Sequence, residues 1–252
     1  MKHYMQKQFN VLLIGDSCTD KYNIGTVDRL SPEAPVPILK IIDSYSVRGM
    51  AANVDLNLQA LGIDADFITN AEDIVKRRFI DKRSGQHLLR VDDDVEICPW
   101  SGVTPFPIGT YDAVVISDYN KGFLTYSAIQ HIIANATGPV FIDTKKTDLN
   151  KFKGAFLKIN ELEFKNSTTT HDKLIVTLGD RGAMYNGKVF PTTAAEVTDV
   201  CGCGDTFLAA LTSHYLVTKN IEGAIIFANK AASVTVQHRG NYAPTVDDIF
   251  HA

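Results

Sequence analysis

The stretch AVVISDYNKGFLTYSAIQHIIANATGPVFI, residues 113–142, decides the fold class. It opens on one apolar run, Ala113-Val114-Val115-Ile116, and closes on another, Pro139-Val140-Phe141-Ile142. Between them, Thr125 to Ala136 has a helical pattern. Strands that are apolar throughout are buried on both faces, and two of them joined by a helix pair in parallel. The stretch therefore predicts one unit of a parallel sheet covered by helices.

The same alternation continues outward in both directions. Phe9-Asn10-Val11-Leu12-Leu13-Ile14 reads as a buried strand closed by Gly15-Asp16. Ala51 to Leu61 reads as a helix with Val54, Leu58 and Leu61 on one face and Gly62 as its stop. Ala65–Thr69, Ala155–Ile159 and Leu174–Thr177 are further strands, and Thr206–Val217 and Ile221–Val236 are helices. Two segments break the scheme. Val36–Tyr45 and Arg78–Asp92 have period two, and the second is interrupted at Ser84-Gly85, a hairpin turn. They predict a small antiparallel sheet, a lid built near residues 22–48 and 76–95. The same strands also read as an edge extension of the main sheet. Asn166–Asp172 is a polar loop where this architecture usually places a helix. The expectation is a single α/β domain over residues 1–252: a parallel-core sheet with helices on both faces, plus an antiparallel β lid.

Ligands of such sheets sit beyond the carboxyl ends of the strands. Gly15-Asp16, Ser117-Asp118, Asp143, Asn160 and Gly179 all fall there. The most telling run is Asp199-Val200-Cys201-Gly202-Cys203-Gly204-Asp205-Thr206-Phe207. Its glycines allow a tight turn and close approach of the backbone to a ligand. The helix that follows offers free N–H groups to an anion. Asp205 stands at the rim, where a carboxylate can take a proton from a hydroxyl. An anion cradle beside a base suits phosphoryl transfer to an alcohol. Asp205 also reads as a helix N-cap, and Gly202 and Gly204 as ordinary turn glycines.

With 252 residues, 45% hydrophobic and 21% charged, the chain has an ordinary globular balance. A net charge of -4 and the absence of a basic run argue against nucleic acid as a partner. Residues 1–10 are polar and lack the apolar core of a signal peptide, and no apolar stretch is long enough to span a bilayer. Four scattered cysteines read as reduced thiols of a cytoplasmic protein, and Cys201 and Cys203 lack the further ligands a zinc site needs. At a helix N-terminus, Cys203 is expected to have a lowered pKa and to react with thiol reagents.

These residues resemble the PfkB (ribokinase-like) sugar kinases, and within them the kinase domain of the bacterial heptose-7-phosphate kinases of lipopolysaccharide synthesis. The likeness lies in Val11–Asp16 with Asp20, Tyr22 and Gly25, and in Leu30-Ser31-Pro32-Glu33-Ala34-Pro35-Val36-Pro37. It continues through Ala51–Val54, Ser117–Tyr119, Lys121-Gly122, Asp143, Lys145, Asn160–Glu163 and Asp199–Asp205. The resemblance implies a ribokinase-like fold and ATP-dependent phosphorylation of a sugar phosphate, a heptose 7-phosphate at its anomeric hydroxyl. It implies Asp205 as the base and the backbone of Gly202, Cys203 and Gly204 as the anion hole. Asp16, Asp20, Gly49, Asn53 and Asp118 would meet the sugar, and Lys76 and Arg78 its phosphate. Lys145, Asn160, Thr177, Gly179, Gly182 and Asn229 would bind ATP. Asn160 and Glu163 would place Mg2+ through water. A homodimer through the lid is implied as well.

The sequence also departs from that pattern. Met50 stands where the family usually has a second glycine, and Cys203 where it usually has alanine. The chain is shorter between Thr69 and Lys76 and between Glu163 and Lys173. The nucleotidyltransferase domain of those kinases has no counterpart in the sequence read here. A kinase for another sugar, or a trimmed homologue that binds nucleotide or sugar without turnover, are the alternatives.

Overall fold

The computed structural model describes residues 8–93, 95–193 and 195–251; the polar residues 1–7 lie outside them. Six short strands form the parallel core: β1 (Val11–Gly15), β4 (Ala65–Thr69), β7 (Ala113–Asp118), β8 (Val140–Thr144), β9 (Phe156–Asn160) and β10 (Leu174–Thr177). An antiparallel hairpin, β11 (Ala183–Tyr185) and β12 (Lys188–Phe190), closes one edge, giving the order β12-β11-β10-β9-β8-β7-β1-β4.

Successive side chains of a strand point to opposite faces, and both faces here are apolar. Leu13, Val115 and Phe141 pack with Val54 and Leu58 of α1 (Ala51–Ala60), with α4 (Cys203–Thr218) and with α5 (Ile221–Thr235). Leu12, Val114, Ile116 and Ile142 pack on the other side with Ile129 and Ile132 of α2 (Tyr126–Asn135). Thr125 caps α2 by accepting from the Ala128 N–H, as its sequence position suggests. The parallel reading of residues 113–142 therefore stands, with β7 and β8 in register from Val114↔Val140 to Asp118↔Thr144.

The lid is a separate four-stranded sheet in the order β3-β2-β5-β6, not an edge extension. Its strands are β2 (Ser17–Leu30), β3 (Pro37–Met50), β5 (Val75–Asp81) and β6 (His87–Asp93). The outer pairs are antiparallel, whereas the central β2–β5 pair is parallel. The link from β4 to β5 is only a few residues long, and α3 (Glu161–Asn166) after β9 is a short helix followed by the polar loop. A last short helix, α6 (Val246–His251), lays Ile249 into the core.

Candidate active site

Asp205 sits on the third residue of α4, after a turn in which Gly202 has φ 76°. A Cβ on Gly202 would lie 2.8 Å from Nδ2 of Asn53, and one on Gly204 would lie 2.9 Å from Nζ of Lys158. Glycine is what lets this turn pass so close to both side chains. The loop before it is held from two sides. Thr198 and Asp199 donate their N–H groups to the carbonyl of Val236. Asp199 accepts from the N–H groups of Cys201 at 2.9 Å and Gly240 at 3.0 Å. Those bonds outweigh burial and keep its carboxyl below the usual range.

Each oxygen of Asp205 has its own donor. Asn53 Nδ2 donates to Oδ2 at 2.8 Å, and the Tyr119 hydroxyl donates to Oδ1 at 2.9 Å. Burial pushes the Asp205 carboxyl up to about 6, with Asp143 adding to the rise; the bonds from Asn53 and Tyr119, and the charge of Lys158, oppose it. A carboxyl poised there is ionised at neutral pH yet remains an effective proton acceptor.

Lys158 was missed in the sequence, where it lies inside the apolar run Ala155–Ile159. It is 4% exposed and donates to Asp143 Oδ2 at 2.7 Å. The signal was its register: β8 and β9 place Asp143 opposite Lys158. Two more lysines converge on the same corner. Lys76 Nζ lies 5.4 Å from the Tyr119 ring centroid and Lys145 Nζ lies 5.3 Å from it. Lys145 also pairs with Glu163. Burial works against its charge, but Asp143 and Glu163 hold its pKa above the ordinary value. Lys76 is 8% exposed and donates to the Met50 sulfur at 3.1 Å. Arg78 is bound to Asp20 at 2.5 Å. Gly49 faces Cys18 across β3 and β2, beside that pair.

Two predicted sugar ligands, Asp16 and Asp118, are buried and braced by their neighbours. Asp16 is fully buried, and its Oδ2 accepts the Tyr119 N–H at 2.7 Å. Burial and the nearby Asp118 raise its pKa. Asp118 is 1% exposed and is held by Lys146 at 2.9 Å and by the Thr144 hydroxyl at 2.5 Å. The turn after β7 folds over both, and Asp16 Oδ1 is left buried without a hydrogen-bond partner. Asn160 and Glu163 form a capping box on α3, each accepting from the other's backbone N–H. Lys145 pairs with the other oxygen of Glu163.

Thr177, Gly179, Gly182 and Asn229 line a cavity of about 480 Å³, together with Cys203 and Gly204. Four of the six predicted nucleotide residues thus share one hollow that opens onto the glycine turn. Asn229 shapes it by donating to the Phe190 carbonyl at 2.8 Å. Lys145 and Asn160 lie outside that lining. The expected activation of Cys203 fails: burial, with Asp199 next, pushes its thiol up to about 12, which outweighs the helix end. Iodoacetamide at pH 7.5 should leave Cys203 unlabelled while it modifies the exposed Cys98. Mass spectrometry checks this, and labelling of Cys203 would reinstate a reactive thiol.

Among the described residues, no helix is long and apolar enough to cross a membrane, and no group of three or more His, Cys, Asp or Glu is placed to hold a metal. Residues 158–248 match the pfkB family carbohydrate kinases. A protein named "Bifunctional protein HldE" from a Nitratiruptor species is 34% identical over 95% of this chain and 64% of its own length. One of the same name from Aliarcobacter butzleri is 31% identical over 98% of this chain and 64% of its own. The chain thus spans less than two thirds of either relative. The first alignment runs over 295 residues against a chain of 252, so that relative carries insertions. Among solved structures, ribokinase from Thermotoga maritima superposes with a TM-score of 0.70 at 17% identity, covering 96% of this chain and 98% of its own. Ribokinase from Arabidopsis thaliana complexed with ribose and ATP superposes at 0.70 with 15% identity, covering 97% of this chain and 98% of its own. The ribokinase fold, the glycine turn and the buried carboxylate thus accompany a match of residues 158–248 to the pfkB family carbohydrate kinases.

Proposed function

We propose that the chain is an ATP-dependent sugar-phosphate kinase acting on a heptose 7-phosphate at its anomeric hydroxyl. The observation that carries this reading is the convergence of Lys76, Lys145 and Lys158 on the corner formed by Tyr119, Asp205 and Gly204. Phosphoryl transfer is chiefly positioning and charge neutralisation. A nucleotide and a phosphorylated acceptor bring several negative charges to one place; Lys76 meets them with no carboxylate partner among the described residues, while Lys145 and Lys158 also answer Glu163 and Asp143. The described residues read as one kinase domain with its lid. A cytoplasmic location accords with ATP as donor.

The residues divide the work. ATP occupies the hollow beside Thr177, Gly179, Gly182 and Asn229, with its terminal phosphate at the free N–H groups that open α4. Lys158, beside Gly204, adds charge there. Asp205 accepts the proton of the attacking hydroxyl. Asn53 offers the acceptor a buried Oδ1 that has no hydrogen-bond partner. On the lid side, Arg78 is already neutralised by Asp20, so Lys76 is the cation left for the acceptor's phosphate. Mg2+ fits these residues as an ion held mainly by the nucleotide, since Asn160 and Glu163 reach it only through water. The buried Asp143 Oδ1, which lacks a partner, is an anionic oxygen close by. When bound, Mg2+ neutralises charge on the transferring phosphate. Met50 favours a second reading, a kinase for a different sugar. Its backbone stands at φ 59° and ψ -132°, and it fills space where the family's pattern has glycine.

ADP release with ATP and a panel of sugars tests both readings. Heptose 7-phosphate should exceed the plain heptose in kcat/KM by roughly two orders of magnitude, through the charged contact to its phosphate. Excess chelator should abolish turnover. Equal specificity constants would overturn the substrate. The absence of ADP with every sugar would overturn the kinase reading in favour of a binding homologue.

The lid also leaves Ile41 at 50%, Ile42 at 48% and Leu89 at 57% exposure. Ile41 and Ile42 lie on one edge strand of the lid and Leu89 on the other; exposed apolar residues mark interfaces, and the resemblance supplies a second copy of the chain as the occupant. Light scattering at micromolar concentration should give the mass of a dimer, and Ile42→Glu should give a monomer. A monomeric wild type would overturn the dimer.

A further inference from the structure

We propose that Tyr119 is a positioning residue for the base, its hydroxyl fixing one oxygen of Asp205 and its ring tying that base to Lys76 and Lys145. The inference rests on Asp205 being the base. Tyr119 directly follows β7, and its own N–H is anchored on Asp16 at 2.7 Å. Its hydroxyl lies 2.9 Å from Asp205 Oδ1. Burial and the neighbouring Asp205 keep the phenol pKa well above its ordinary value, so the hydroxyl stays a donor.

Asn53 holds only Oδ2. Were Oδ1 released, a carboxylate that is 5% exposed would keep a single neutral donor, and its plane would be free to turn. The lone pair offered to the acceptor hydroxyl is therefore set by two donors on two different elements: Asn53 from α1, and Tyr119 from the turn after β7. The other charged or titratable groups that act on Asp205 are Asp143 of β8, Lys158 of β9, Lys145 after β8, Cys18 of β2 and Cys203 of α4. The hydrogen bond to Oδ1 comes from Tyr119. The ring lies 5.4 Å from Lys76 Nζ on the lid and 5.3 Å from Lys145 Nζ on the core, so one side chain touches the base and both flanking cations.

Tyr119→Phe keeps the ring and both lysine contacts and removes only the hydroxyl. Its kcat should fall about tenfold, with KM for ATP and for the acceptor held within about twofold. The acidic limb of kcat/KM should move to higher pH by roughly one unit, because a donor to the ionised form has been lost. The same shift should appear in ligand-free protein as a 13C-carboxyl NMR titration, with the Asp205 signal identified by its absence in Asp205→Asn. Thermal melting confirms that the variant is folded. Tyr119→Leu, which also deletes the ring, should shift the titration likewise and raise KM for the acceptor. An unmoved titration midpoint in Tyr119→Phe, or a raised KM at unchanged kcat, would overturn the proposal. If the wild type turns over no sugar, the kinase reading falls, and the NMR titration still decides whether Tyr119 governs Asp205.

Discussion

Asp205→Asn should lower turnover by about two to four orders of magnitude, the usual cost of removing a positioned base. The fold should survive the change. An asparagine side chain has the same shape, and the Tyr119 hydroxyl can turn to accept from it where it previously donated. The sign of the stability effect follows from the raised carboxyl. A group whose folded pKa lies above its unfolded value favours folding when protonated, and that favour is lost as pH rises through the folded value. For Asp205 the window runs from its ordinary 3.8 up to about 6. At pH 8 the ionised side chain is a burden that asparagine does not carry. The variant should therefore melt no lower than wild type at pH 8, and its advantage should shrink towards pH 4. The wild-type rate should rise along an acidic limb centred near 6. Near-normal turnover in a folded Asp205→Asn would remove the carboxylate from the mechanism.

Lys158→Met is the second change with a large expected effect, and it acts on stability and rate together. Lys158 and Asp143 are 4% and 6% exposed and bonded at 2.7 Å. Breaking a buried pair from one side leaves an uncompensated charge, at about 3–5 kcal/mol. In a protein of this size that is a fall in Tm of roughly 10 °C. Asp143→Asn in the same chain should recover most of the loss, since the stranded charge is then gone. Turnover should stay low in the double variant, because the cation beside Gly204 is still missing. Recovery of full activity in the double variant would make the pair purely structural.

The parallel core was legible because its strands are uniformly apolar, and short uniform runs divided by helices admit few other arrangements. Strand β2 was not. Its buried side chains alternate only over Cys18, Asp20 and Tyr22 before Asn23 breaks the phase, and Asp20 and Asn23 are polar where a hydrophobic pattern would reveal a strand. The β11–β12 hairpin was missed despite a clear signal. Asn186 and Gly187 have φ 49° and 75°, the turn that an Asn-Gly pair favours between paired strands. At the site, Asp205 and its glycines were readable because local sequence builds them. Lys158 and Tyr119 were not, since their meaning lies in residues brought alongside from other strands and from α4. Asp16 and Asp118 show the converse: their place at strand ends was readable, and the turn after β7 that encloses them was not.

Strand β3 ends at Met50 and helix α1 begins at Ala51, with no loop between them. Asn53, which holds the base, is therefore three residues from the lid along continuous regular structure. Such a junction has no slack. Anything that steadies the lid strand also steadies the first turn of α1, and anything that frays one loosens the other. Slowed amide exchange from Ala51 to Val54 should accordingly serve as a gauge of acceptor occupancy, readable without following any chemical turnover.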